Sequence, residues 1–130
     1  MWECIRVRGQ VCRFSGESGE GGSRRTDGKP VYACMMLAVD AQGKDITTVE
    51  GLGTPDKPHP LQAAFIAEQA AQCGYCISGM VIAAASMLER NPKPSLAEIK
   101  AGMDGHLCRC GTHLRIVRAI ERAVKEEVRL

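Results

Sequence analysis

Seven cysteines stand in a chain of 130 residues, and four of them form two close pairs. Cys73-Gly74-Tyr75-Cys76 is a C-x2-C, and Cys108-Arg109-Cys110-Gly111 carries a C-x-C. Four thiolates brought to one place suit zinc or an iron–sulfur cluster. Zinc ribbons usually set two C-x2-C knuckles about fifteen to twenty residues apart. Here the second pair is C-x-C, and thirty-one residues lie between Cys76 and Cys108. A two-iron cluster divides its four ligands between two metals, so it accommodates unequal loops more easily than one tetrahedral ion does. The spacing points to a [2Fe–2S] cluster with Cys73, Cys76, Cys108 and Cys110 as metal ligands. Structural zinc is the rival reading.

Charge adds a second argument. Four thiolates with two ferric ions and two sulfides carry a formal charge of about −2, and about −3 after reduction. Such a centre needs N–H donors and nearby cations. Gly74 and Gly111 let the backbone approach the sulfurs without a Cβ in the way, and Arg109, Arg115 and Arg118 offer positive charge. A thioredoxin-like redox pair lacks its βαβ context here. His106 and His113 flank the second pair, but four thiolates already fill the ligand set. His59 is expected to face solvent in a proline-rich linker. Met80 and Met103 are expected to pack near the cysteine loops, and Tyr75 either to pack between the ligands, the reading favoured, or to form part of a partner interface.

The elements that must position these loops read as follows. Residues 1–26 are expected to be a disordered or non-family arm, because Ser15 to Ser23 is rich in glycine and serine with no apolar period. Residues 27–53 read as a partial β unit. Val31–Val39 and Ile46–Val49 form two short strands around the turn signal Asp40-Ala41-Gln42-Gly43. Residues 54–60 hold three prolines and read as the linker. Residues 61–130 turn helical. Leu61, Phe65, Glu68 and Gln72 share one spacing, and Val81, Ala84, Ala85 and Leu88 share another that Asn91-Pro92 stops. Ser95-Leu96-Ala97-Glu98 is a capping box, and Ile116 or Val117, with Ile120 and Val124, mark a final amphipathic helix with a basic outer face. The two cysteine pairs thus sit at helix junctions, where antiparallel packing would bring them to one end of a four-helix bundle.

Composition narrows the function. Net charge is +2 with Lys and Arg scattered, so no basic patch suggests nucleic acid. No secretory leader or membrane-spanning run is visible, which makes a cytoplasmic location the expectation. In a reducing compartment these cysteines serve as ligands or buried thiols rather than disulfides.

At Gln72-Cys73-Gly74-Tyr75-Cys76-Ile77-Ser78-Gly79-Met80 and Leu107-Cys108-Arg109-Cys110-Gly111-Thr112, the chain resembles the second cluster motif of the molybdenum hydroxylases. That family includes xanthine oxidase, carbon monoxide dehydrogenase and aldehyde oxidoreductase. The Cys-Arg-Cys-Gly-Thr-His ending is similar to small subunits of the isoquinoline or nicotinate oxidoreductase type. The resemblance covers about residues 27–124 and implies an α+β fold, with a C-terminal four-helix [2Fe–2S]-binding bundle after a β-grasp (ferredoxin-like) unit. It implies an electron-transfer subunit with no catalytic acid or base of its own. Its expected partners are a large molybdopterin-binding subunit, whose cofactor Gln72 and Cys110 would touch, and a flavin subunit or cytochrome as acceptor. Substrates would be N-heterocycles or aldehydes.

Upstream the likeness degrades. Cys34 stands where the family places the last ligand of a first cluster, but no C-x4-C-x2-C loop precedes it. Cys4 and Cys12 have only the outer spacing of that loop. The expectation is a truncated β-grasp remnant without a first cluster, through a shortened or misread upstream region, with Cys34 a buried thiol on a strand. A zinc-stabilised helical interaction module and a non-functional remnant are the alternative functions.

Overall fold

The computed structural model describes residues 11–15, 29–32, 37, 39 and 45–127. Three short strands come first: β1 (Val11–Ser15), β2 (Lys29–Tyr32) and β3 (Asp45–Thr47). All pairing is antiparallel and the order is β2-β1-β3. Val11 pairs with Tyr32 and Phe14 with Lys29 on one side, and Arg13 pairs with Thr47 on the other.

This sheet corrects two expectations. Val11–Ser15 is not part of a structureless arm but the central strand, and the strands at 29–32 and 45–47 pair with it rather than with each other. Two strands alone are marginal in water, and a third inserted between them completes both ladders. The rest of the expected arm lies outside the described residues. So do Cys4, Cys34 and the turn at 40–43.

The strand expected over Ile46–Val49 stops at Thr47, and Val49–Leu52 forms a single helical turn, α1. Burial explains the switch. Val49 and Leu52 pack against the helical core, and the Val49 carbonyl accepts from Gln62 Nε2 at 3.1 Å. The segment read as a linker is an ordered turn. Thr54 and Lys57 exchange backbone hydrogen bonds at 3.1 Å each way, and the Thr54 hydroxyl also accepts from the Lys57 N–H.

Four helices follow: α2 (Pro60–Ala67), α3 (Ile77–Arg90), α4 (Leu96–Met103) and α5 (His113–Glu127). His59 does not simply face solvent. It starts α2, its Nδ1 accepting from the Leu61 N–H at 3.2 Å while Gln62 Oε1 accepts from the His59 N–H at 2.8 Å. Pro60 then opens the helix, where its missing N–H costs nothing. The Ser95–Glu98 box starts α4 as its sequence indicates.

Helix α2 ends earlier than the Leu61–Gln72 spacing suggests. Gln69 adopts a left-handed backbone, φ 49°, and the N–H groups of Gln69 and Ala70 turn back to the carbonyls of Ile66 and Phe65. This is a Schellman stop with glutamine in the position that glycine usually takes. Helix α3 is the spine, buried without a break from Gly79 to Leu88 and packed on β1, α2 and α4. The core around it holds Leu61, Phe65, Met80, Ile99, Met103, Ile116 and Ile120. Its supply of alanine lets the helices approach closely.

Candidate metal centre

The first cysteine pair occupies the seven-residue passage from the α2 stop to α3, and the second precedes α5. In the first loop the Ile77 N–H bonds the Gly74 carbonyl at 3.3 Å, and Gly74 takes φ 81°. In the second the Gly111 N–H bonds the Cys108 carbonyl at 3.1 Å, and Gly111 takes φ 72°. Both glycines are thus required by left-handed turns. A Cβ added at either would meet nothing within 4 Å. Space around each is open among the protein atoms, and the left-handed turn is a reason for glycine that needs no neighbour.

Packing of α2 against α5 brings the loops together. The four thiols meet two and two across the loops. Cys76 and Cys108 share a hydrogen bond and pack against the hydrophobic core. Cys73 and Cys110 share another, farther out. Among the described residues no three His, Cys, Asp or Glu side chains form a group around a single metal-ion position. The thiols associate as two cross-loop pairs, Cys76 with Cys108 and Cys73 with Cys110.

Each pair divides its protons unequally. The Thr112 hydroxyl draws the Cys108 thiol down to about 6, against the pull of burial. Burial, then the bond to Cys108, pushes the Cys76 thiol up to about 11. The Tyr75 N–H and then the Cys110 thiol lower Cys73. At Cys110 the Cys73 N–H pulls downward, but the bond to the Cys73 thiol, burial and the neighbouring sulfur charges raise it. In the inner pair this leaves Cys76 holding the proton beside an ionised Cys108 at neutral pH, a proton that a bound metal would displace.

Other expected residues fall nearby in different roles. His113 is no ligand here; its Nε2 accepts the Cys108 N–H at 3.3 Å. The sequence marked its position but not this use. His106 is half-buried, and burial lowers its pKa. Thr112, which spacing alone did not single out, stands 3.3 Å from the Cys108 sulfur. Tyr75 does not pack between the ligands; it is 65% exposed. Met80 and Met103 lie in the core, where α3 and α4 carry them. Arg115 reaches back to the Gln69 carbonyl at 3.3 Å. Gln72 and Cys110 share the lining of a hollow of about 330 Å³ with Thr112, Leu114 and Arg115. No described helix is long and apolar enough to cross a membrane.

Residues 48–121 match the model of the [2Fe-2S] binding domain family. The chain is 50% identical over 99 residues to a nicotinate dehydrogenase subunit of Pseudomonas putida, covering 76% of this chain and 63% of that one. It is also 50% identical over 100 residues to the alpha subunit of isoquinoline 1-oxidoreductase of Brevundimonas diminuta, covering 77% and 65%. The chain thus spans just under two thirds of the length of these two relatives. Among solved structures, quinoline 2-oxidoreductase from Pseudomonas putida 86 superposes with a TM-score of 0.75 at 37% identity, over 99% of this chain and 74% of that one.

Proposed function

This chain belongs to the [2Fe-2S] binding domain family, and we propose that it carries one [2Fe–2S] cluster on Cys73, Cys76, Cys108 and Cys110. The observation that carries the reading is the two-and-two meeting of these thiols across the loops. The inner pair, Cys76 and Cys108, would hold one iron, and the outer pair, Cys73 and Cys110, the other. When bound, the group supplies one-electron redox chemistry. The residues of this chain hold it, shield its inner face with the helical core and leave its outer face, at Cys73, open to a partner.

We read the whole as the electron-transfer subunit of a molybdopterin-dependent hydroxylase or dehydrogenase acting on N-heterocycles or aldehydes. Relatives named for nicotinate, isoquinoline and aldehyde oxidation support this. The partner is a large molybdopterin-binding subunit, docked at the cysteine end, with a flavin subunit or cytochrome receiving electrons. Gln72 and Cys110, which line the 330 Å³ hollow, are the residues assigned to meet the pterin. Ile66, Tyr75, Leu107 and Leu114 are exposed apolar side chains on the helices and loops at this end, from 65% to 84% accessible, and suit such a docked face. A cytoplasmic location suits a site built from reduced thiols.

Anaerobic purification of the full chain with iron and sulfide analysis tests the reading. Two irons and two sulfides per chain are expected, lost on replacing any of the four cysteines by alanine and kept when Cys4, Cys12 and Cys34 are all replaced. One zinc and no labile sulfide would reject it, and four irons would restore a first cluster. Co-expression with a molybdopterin-binding subunit is expected to yield a stable complex.

A further inference from the structure

We propose that Thr112 is a positioning residue whose hydroxyl donates its hydrogen to the Cys108 sulfur and so makes the loaded centre easier to reduce. The inference rests on the cluster reading above. Thr112 Oγ1 lies 3.3 Å from Cys108 Sγ. In a free thiol either atom can donate. A metal ligand has lost its proton, so in the loaded site the hydroxyl is the member of the pair that still owns a hydrogen. The direction is thereby fixed, from Oγ1–H to Sγ.

Thr112 is also held in place. Its carbonyl accepts the N–H groups of Arg115 and Ile116 at 3.0 and 3.1 Å, so the first turn of α5 anchors its backbone. Ile116 is itself sealed in the core. A β-branched side chain has few χ1 choices, and the sulfur it faces is partly buried against the core. The N–H of Cys108 is already given to His113 and that of Gly111 to the Cys108 carbonyl. Backbone N–H groups of Thr112 and Cys110 also bear on the Cys108 sulfur, but a side-chain substitution leaves those in place. The hydroxyl can be removed alone.

Reduction adds one electron and takes the formal charge of the centre from about −2 to about −3. No proton moves and no bond breaks; Thr112 keeps its hydrogen. Because part of the added charge sits on ligand sulfur, a donor there stabilises the reduced form more than the oxidised one. Losing the donor makes reduction harder.

The test uses the full chain, reconstituted anaerobically with ferrous iron and sulfide, and titrated with dithionite and redox mediators. The EPR signal of the reduced centre is the readout. Thr112→Val keeps the branched shape and removes the hydroxyl; Thr112→Ser keeps the hydroxyl. At a fixed applied potential, Thr112→Val is expected to lower the reduced-to-oxidised ratio about tenfold, which is about 59 mV for one electron. Thr112→Ser should stay within about twofold of the parent chain. An unchanged ratio in Thr112→Val overturns the proposal, and so does a tenfold fall in Thr112→Ser. Should Thr112→Val fail to load, Thr112→Ala carries the same expectation, and the Thr112→Ser outcome stands by itself. A parent chain that binds no iron and sulfide rejects the cluster reading instead, a failure seen before any titration begins.

Discussion

Arg115 Nη1 donates to the carbonyl of Gln69 at 3.3 Å, tying the first turn of α5 to the left-handed residue that ends α2. This bond joins the segments on either side of the thiol site. Gln69 pays for its φ of 49° with steric crowding that glycine would not feel. Gln69→Gly is expected to raise the stability of the metal-free chain by about 1 kcal/mol, and Gln69→Val to lower it by at least that much. Urea unfolding followed by circular dichroism checks both. Arg115→Ala should leave the helices intact but hasten loss of iron to a chelator, because the loops lose one anchor.

The glycines of the two cysteine loops can be tested in the same way. Gly74 and Gly111 have φ of 81° and 72° with open space where a Cβ would go. Alanine at either position is therefore resisted by the backbone and not by a clash. Each substitution is expected to cost about 1 kcal/mol, with reduced iron content after reconstitution. A clash would give a larger loss, and no loss would mean that the turns tolerate alanine.

In the core, Ile120 is fully buried on the face of α5 that meets the other helices. Replacing it by alanine leaves a cavity as well as losing apolar contact. A loss of about 2–5 kcal/mol is expected, with a matching fall in urea midpoint and an unchanged denaturant slope.

Glu98 gives a pH signature. The Ser95 hydroxyl, then the Ser95 N–H, then Asn91 hold its carboxyl below the usual carboxylate range. The folded pKa is below the unfolded one, so this contribution is complete above about pH 4.5. It disappears as pH falls through the lower, folded value. Glu98→Gln is expected to flatten that acid limb of stability and leave neutral pH little changed. An acid limb as steep as the parent's would contradict this.

Much of the helical half is legible in the sequence because its signals are local. Asn91-Pro92 stops α3, the Ser95–Glu98 box starts α4, and the Ile116–Ile120–Val124 stripe marks α5. The cysteine pairs are legible because ligand spacing is a covalent fact of the chain. Where local signals mislead, a long-range contact decides. Glutamine at the stop of α2 hides a turn that glycine would have announced. His59 stands where serine or aspartate would have advertised a cap, and Val49 leaves its β-branched run because Gln62 and the core hold it. Strand β1 is invisible locally, since its identity lies in two partners from fifteen to thirty-four positions away. Thr112 escapes notice for a similar reason: only folding shows that its hydroxyl has a sulfur beside it.

The unbroken burial of α3 from Gly79 to Leu88 has a further consequence. A helix wrapped on every side offers water no local path to its amides, so their hydrogens should exchange with deuterium only when the whole bundle opens. The amides of the cysteine loops answer to the metal, whereas those of α3 answer to the molecule. Comparing the two in one sample would separate loosening of the loops from unfolding of the chain.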